Sequence, residues 1–141
     1  MGLKSIFRIK KTSNNQKSVL FDYISKDKKF LSVYKNYKIN DKITDVNSLL
    51  PNGKMVVVSA YWCPDCRNNV PKMTKISESL QGWTFEIMDR DDTGVKEKYS
   101  IRKIPTFIVF KDSGEELGRI IENPESDSLD IDLLNIVKRN S

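Results

Sequence analysis

Val56-Val57-Val58-Ser59-Ala60-Tyr61-Trp62-Cys63-Pro64-Asp65-Cys66 is the stretch on which the reading of this chain turns. Its first half, with Lys54 and Met55 before it, is β-branched and apolar on both faces, as a central parallel strand reads. Its second half places two cysteines three positions apart directly after that strand. Val70, Met73, Ile76 and Leu80 then recur at helical spacing within 66–81, and Gly82 is a natural stop. The cysteines therefore stand where a strand hands over to a helix.

That position has a chemical meaning. A helix N-terminus carries unpaired backbone N–H groups and about half a positive charge. Both favour a thiolate, and such sites lower a cysteine pKa from about 8.5 to roughly 3.5–7.5. Cys63, at the helix start, gains most and is the expected nucleophile. Cys66 faces it across one turn and is the expected resolving thiol. Pro64 suits the first helical turn, where its missing N–H would have had no partner. Asp65 acts the other way. A carboxylate beside the second thiol disfavours its thiolate, which predicts a relatively reducing dithiol.

Two absences narrow the chemistry further. The 141 residues contain no histidine, which removes Ser-His and Cys-His catalysis and His-ligated metals. They contain only these two cysteines, so no spread of disulfides staples the fold. A zinc site would need further ligands from carboxylates or a second chain, and none is expected. A purely structural bridge over so short a loop would constrain the unfolded chain little.

Outward from the centre, the remaining elements follow. Residues 83–88 alternate with period two and read as a strand. Residues 91–99 read as a short helix with an acidic cap, 106–110 as a second apolar strand, and 116–121 as its return after the Asp112-Ser113-Gly114 turn. Ser126 or Ser128 caps a last helix with Leu129, Leu133, Ile136 and Val137 on its apolar face. The order β-α-β-α-β-β-α implies a parallel or mixed sheet with helices on its faces. Upstream, apolar positions over 18–37 fit one or two amphipathic helices split near Ser25-Lys26-Asp27, and 43–50 is short and mixed. Residues 1–17 are basic and polar, with a break at Thr12-Ser13-Asn14-Asn15.

At 38% hydrophobic and 30% charged, the chain has an ordinary globular composition. Its charge is uneven: residues 1–42 carry eleven Lys/Arg against three Asp, and the remainder is net acidic. A solvated, lysine-rich surface accounts for this, and no aromatic-basic interleaving points to nucleic acid. No apolar run approaches the roughly 20 residues of a membrane helix. No signal peptide is recognisable, so a cytoplasmic location is expected.

The central stretch resembles the strand and active-site motif of thioredoxins, which read as an apolar strand, Ala, then Trp-Cys-x-x-Cys. Pro71 matches the proline that kinks the active-site helix in that family. Ile101-Arg102-Lys103-Ile104-Pro105-Thr106 is similar to the segment whose proline is cis and faces the dithiol, and Gly114 falls at the family's hairpin turn. The resemblance covers roughly residues 50–140. It implies an α/β thioredoxin-like fold, a central mixed sheet flanked by helices, over 46–141. Residues 1–45 are then a basic N-terminal extension, expected to be helical and packed on the core.

The resemblance also implies a function: reduction of protein disulfides through the Cys63/Cys66 dithiol, with no cofactor bound and a thioredoxin-reductase-like flavoprotein as electron donor. Trp62, Pro64, Ile104 and Pro105 are the implied substrate contacts. Many thioredoxins carry a buried aspartate six residues before the first cysteine as a proton relay. Here that position is Val57, and of the nearby carboxylates Asp65, Glu86 and Asp89, Asp65 is the expected substitute. The alternatives left open are a binding or adaptor module, an exported disulfide oxidant or isomerase, and a reductase dedicated to a small molecule or peroxide.

Overall fold

A strand buried on both faces needs cover on both, and the elements around it supply that cover. In a computed structural model, which describes residues 13–141, the order is α1 (Ser13–Ser25), α2 (Lys28–Asn36), α3 (Ile43–Leu49), β1 (Lys54–Ser59), α4 (Pro64–Ser77), β2 (Thr84–Asp89), α5 (Val95–Tyr99), β3 (Thr106–Phe110), β4 (Glu116–Ile121) and α6 (Leu129–Arg139). Nothing of residues 1–12, or of the side chains of 13–18, belongs to the description.

The strands form one mixed sheet in the order β2-β1-β3-β4. β1 runs parallel to β2 and antiparallel to β3, and β3 pairs antiparallel with β4. Residues 55–59 of β1 are all buried, so its apolar run is that of a central strand. Alternation puts Met55, Val57 and Ser59 on one face and Val56 and Val58 on the other. Ser59 lies opposite Asp89 in the register of β2.

The first helices belong to this core. Leu20, Ile24 and Phe30 are fully buried, and α1 lies against β2 and α4 while α2 lies against α4. Asp27 caps α2 by accepting from the Lys29 N–H at 2.8 Å. Polar ties follow. The Tyr34 hydroxyl donates to Glu78 at 2.5 Å, and Lys75 Nζ donates to the Tyr37 carbonyl at 3.0 Å. Asp130, fully buried at the start of α6, accepts from the Tyr37 hydroxyl and from the Asn40 N–H at 2.9 Å.

Several elements differ from their sequence reading, each for a local reason. The polar run at 13–15, read as a break, is where α1 begins. The mixed segment after residue 42 is a helix, with Ile43 and Val46 one turn apart and buried. The helix expected over 66–81 starts at Pro64 and ends at Ser77; the chain then tightens into i→i−3 bonds, Ser79 to Ile76 at 2.9 Å and Leu80 to Ser77 at 3.1 Å. Gly82 acts through close approach, since a Cβ there would lie 2.2 Å from the Pro51 carbonyl oxygen. The helix expected over 91–99 is confined to Val95–Tyr99. Ahead of it Asp89 accepts from the Asp91 N–H at 2.7 Å, and Gly94 sits in the left-handed region at φ 84°, which interrupts any helix running through it.

Candidate active site

The dithiol sits where β1 ends and α4 begins. Cys63 is the N-cap of α4, in extended backbone, with Pro64 in the first turn. Its Sγ accepts from the Cys66 N–H at 3.1 Å, the place a capping hydroxyl would take. On its other side Sγ lies 3.6 Å from the Ile104 carbonyl. The Ile104–Pro105 bond is cis, and the Glu122 N–H closes on the Pro105 carbonyl at 2.7 Å. Two segments forty residues apart thus meet at one sulfur. Both cysteines are free thiols.

The two sulfurs differ in access. Cys63 is 4% exposed and Cys66 is 0% exposed. Burial pushes the Cys66 thiol up to about 12. The adjoining Cys63 thiol adds to this, and hydrogen bonds from the Ser59 hydroxyl and the Ala60 backbone oppose it. We therefore expect iodoacetamide at neutral pH to alkylate Cys63 at least about a hundredfold faster than Cys66. Peptide mass mapping after brief labelling reads this directly. Equal labelling of both sulfurs would contradict the geometry.

Trp62 is 59% exposed beside the dithiol. It is held rather than loose: its Nε1–H donates to Asp91 at 3.0 Å, and the Arg90 guanidinium lies 5.8 Å from the ring centroid. The Trp62 hydrogen bond, with Arg90 close by, holds the Asp91 carboxyl below its usual range. Of the residues singled out in sequence, Trp62, Cys63, Pro64, Cys66, Ile104 and Pro105 come together here, with Pro64 exposed and Ile104 and Pro105 buried. Asp65 is half-buried in the first turn of α4. The groups acting most on the Cys66 thiol are Cys63, Ser59 and Ala60, and Asp65 is not among them.

Sequence reading missed four contributors. Arg90 and Asp91 reach Trp62 only because β2 ends beside it, a proximity that pairing creates. Ser59 had a visible signal, as the one polar residue in a buried apolar run. Tyr23 had none. It arrives from α1, stacks on Tyr61 at 4.2 Å between centroids and 12° between planes, and donates from its hydroxyl to Ser59 Oγ at 3.0 Å. The Tyr61 hydroxyl donates back to the Tyr23 carbonyl at 2.7 Å. Among the described residues no group of three His, Cys, Asp or Glu side chains is arranged to hold a metal ion. No helix of the described residues is long and apolar enough to cross a membrane.

A family model described as thioredoxin matches residues 13–127, most of the chain. The chain belongs to the thioredoxin family. It is 35% identical over 85 residues to a thioredoxin of Mycoplasmoides gallisepticum, a match covering 56% of this chain and 85% of that protein. It is 32% identical over 80 residues to a thioredoxin-2 of Pyricularia oryzae, covering 55% of this chain and 46% of the fungal protein. With a buckwheat (Fagopyrum esculentum) H-type thioredoxin the match spans 62% of the plant protein, so this chain aligns with about half to two-thirds of two of these three relatives. Among solved structures it is similar to the thioredoxin of Fasciola hepatica, at 27% identity and a TM-score of 0.51, covering 70% of this chain and 89% of that one. A protein of unknown function from Pseudomonas aeruginosa shares the fold at 16% identity and a TM-score of 0.59, covering 78% and 80%. The thioredoxin match begins at residue 13, so it takes in α1 and α2 as well as the dithiol.

Proposed function

We propose that this chain reduces protein disulfides, with Cys63 as nucleophile and Cys66 as resolving thiol. The observation that carries the reading is the asymmetry of the pair. One sulfur, 4% exposed, caps a helix beside Trp62 and the Ile104 carbonyl, and the other has no exposed surface. The Cys63 thiolate attacks one sulfur of the substrate disulfide, forming a mixed disulfide and releasing the other sulfur as a thiolate that takes up a proton. Cys66 then attacks Cys63 Sγ. This forms the 63–66 disulfide and releases the second substrate sulfur, which takes up the Cys66 proton. Two electrons pass from the dithiol to the substrate. An external reductant, a thioredoxin-reductase-like flavoprotein, restores the dithiol in a reducing, cytoplasmic setting.

The substrate segment lies between the Trp62 ring, Pro64 and the Ile104–Pro105 bend, pairing along the bend as an added strand would. Asp65, in the first helical turn, is the carboxylate this reading assigns to exchanging the Cys66 proton with solvent. The raised Cys66 thiol favours a dithiol that gives up electrons, with a potential below that of the glutathione couple.

The test is a trap. With Cys66→Ser, the mixed disulfide has no resolving thiol, so partner proteins are expected to remain covalently attached through Cys63. Non-reducing electrophoresis of the reduced variant mixed with a disulfide-containing protein such as insulin reads out the adduct. Release of the adduct at the rate of the unsubstituted chain would end the two-cysteine scheme.

A further inference from the structure

Pro64, Arg67 and Asn68 stand at i, i+3 and i+4 and so share one face of α4. Lys29, Ser32 and Val33 have the same spacing on α2. The two helices pack together, with Phe30 of α2 fully buried. These six residues line a groove of about 270 Å³. Pro64, in its wall, directly follows Cys63, so the groove lies beside the nucleophile. Its volume is just below the range of small-molecule pockets, roughly 300–1,000 Å³, which leaves room for one side chain and not for a cofactor.

The lining has a definite chemistry. Half-buried Val33 and exposed Pro64 supply apolar surface, and Lys29 and Arg67 supply two positive charges. No carboxylate belongs to the lining. Among the described residues neither cation makes an ion pair, and the buried Arg67 Nε has no hydrogen-bond partner. Nearby carboxylates are engaged elsewhere. Asp27 accepts from the Lys29 backbone N–H at 2.8 Å, Asp91 from Trp62 at 3.0 Å, and Glu122 pairs with Lys103 at 3.7 Å. Asp65 lies off the face that Pro64 shares with Arg67 and Asn68.

We propose that this groove is a specificity subsite that takes a glutamate of the disulfide substrate. Its stem lies on Val33 and Pro64, and its carboxylate lies between Lys29 and Arg67, where a charge-assisted hydrogen bond forms. Reach sets the position. The four residues from Pro64 to Asn68 rise about 6 Å, which about two residues of extended chain cover, so the glutamate stands two residues from the attacked cysteine. The inference rests on the reductase reading above and names its substrate class: polypeptides acidic beside the reacting disulfide. Half of the subsite comes from α2, which makes that helix a determinant of specificity.

Two disulfide-linked peptide dimers of one composition test this. In one, Glu stands two residues to either side of the cysteine and Gln at the ends; in the other they are exchanged, so net charge is equal. The reduced full chain gives each dimer two electrons and two protons, yielding two peptide thiols and the 63–66 disulfide. Chromatography of acid-quenched samples gives the second-order rates. The near-Glu dimer is expected to react about fivefold faster with the unsubstituted chain, and at about the same rate as its isomer with the Lys29→Gln, Arg67→Gln double variant. Lys29→Glu, at an exposed side chain, is expected to make the near-Glu dimer the slower one, and it decides alone should the double variant fail to fold. Equal rates for the two dimers with the unsubstituted chain overturn the proposal. So does a fivefold preference that survives the substitutions, because it would then arise elsewhere. If the unsubstituted chain reduces neither dimer nor a nitroaryl disulfide, the reductase reading itself falls, and the subsite with it.

Discussion

Cys63→Ser is expected to lower disulfide reductase turnover by at least about a thousandfold while leaving the fold intact. Two physical reasons combine. A serine hydroxyl stays protonated at neutral pH and forms no bond to sulfur that a thiol could later displace. Nor is Cys66 able to substitute: it has no exposed surface, and its thiol is pushed up to about 12. The fold is safe because serine is a preferred N-cap, and its oxygen accepts the Cys66 N–H that the sulfur now accepts. The checks are insulin reduction with a chemical reductant and thermal unfolding by circular dichroism. An activity retained at a tenth of the original would mean that Cys66 reaches substrate directly. A fall in melting temperature would mean that the loss is structural.

The second large effect is on stability. Trp83→Ala is expected to destabilise the fold by about 3–5 kcal/mol, the range for deleting a buried large aromatic side chain. Trp83 is fully buried, stacks on Phe85 at 6.2 Å, and donates Nε1–H to the Leu50 carbonyl at 2.6 Å. Its removal opens a cavity beside the start of β2 and leaves that carbonyl without its donor, a further cost of about 1–3 kcal/mol where water does not enter. Against a total of about 5–15 kcal/mol, the loss is large. Urea titration followed by far-ultraviolet circular dichroism measures it as a fall in midpoint at unchanged slope. Trp83→Phe retains most of the packing and separates the ring from its hydrogen bond. A loss below about 1 kcal/mol for the alanine variant would show that the site collapses or is not close-packed.

Much of this was legible because the decisive signals are local. An apolar run at Met55–Val58, cysteines directly after it, and a helical stripe from Val70 to Leu80 need no partner to be read. The Ile104–Pro105 bend was legible only through resemblance, since its place beside Cys63 comes from β3 pairing antiparallel with β1. What escaped reading is what tertiary structure assembles from distant positions. Asp91 looked like a helix cap and serves as the acceptor for Trp62, because Gly94 delays the helix and the Asp89 carboxylate holds the turn. Tyr23 was one aromatic among several in an amphipathic segment. Nothing in its neighbours in sequence announces a hydroxyl that ends on Ser59.

Asp130 fastens Tyr37 and Asn40 to the final helix, while Tyr23 is clamped on Tyr61 just ahead of the cysteines. The opening and closing segments of the described chain are thus buckled to each other and to the reactive loop. Pruning residues 13–40 would not leave a leaner copy of the same domain; it would unbuckle the last helix and the loop that leads to the cysteines.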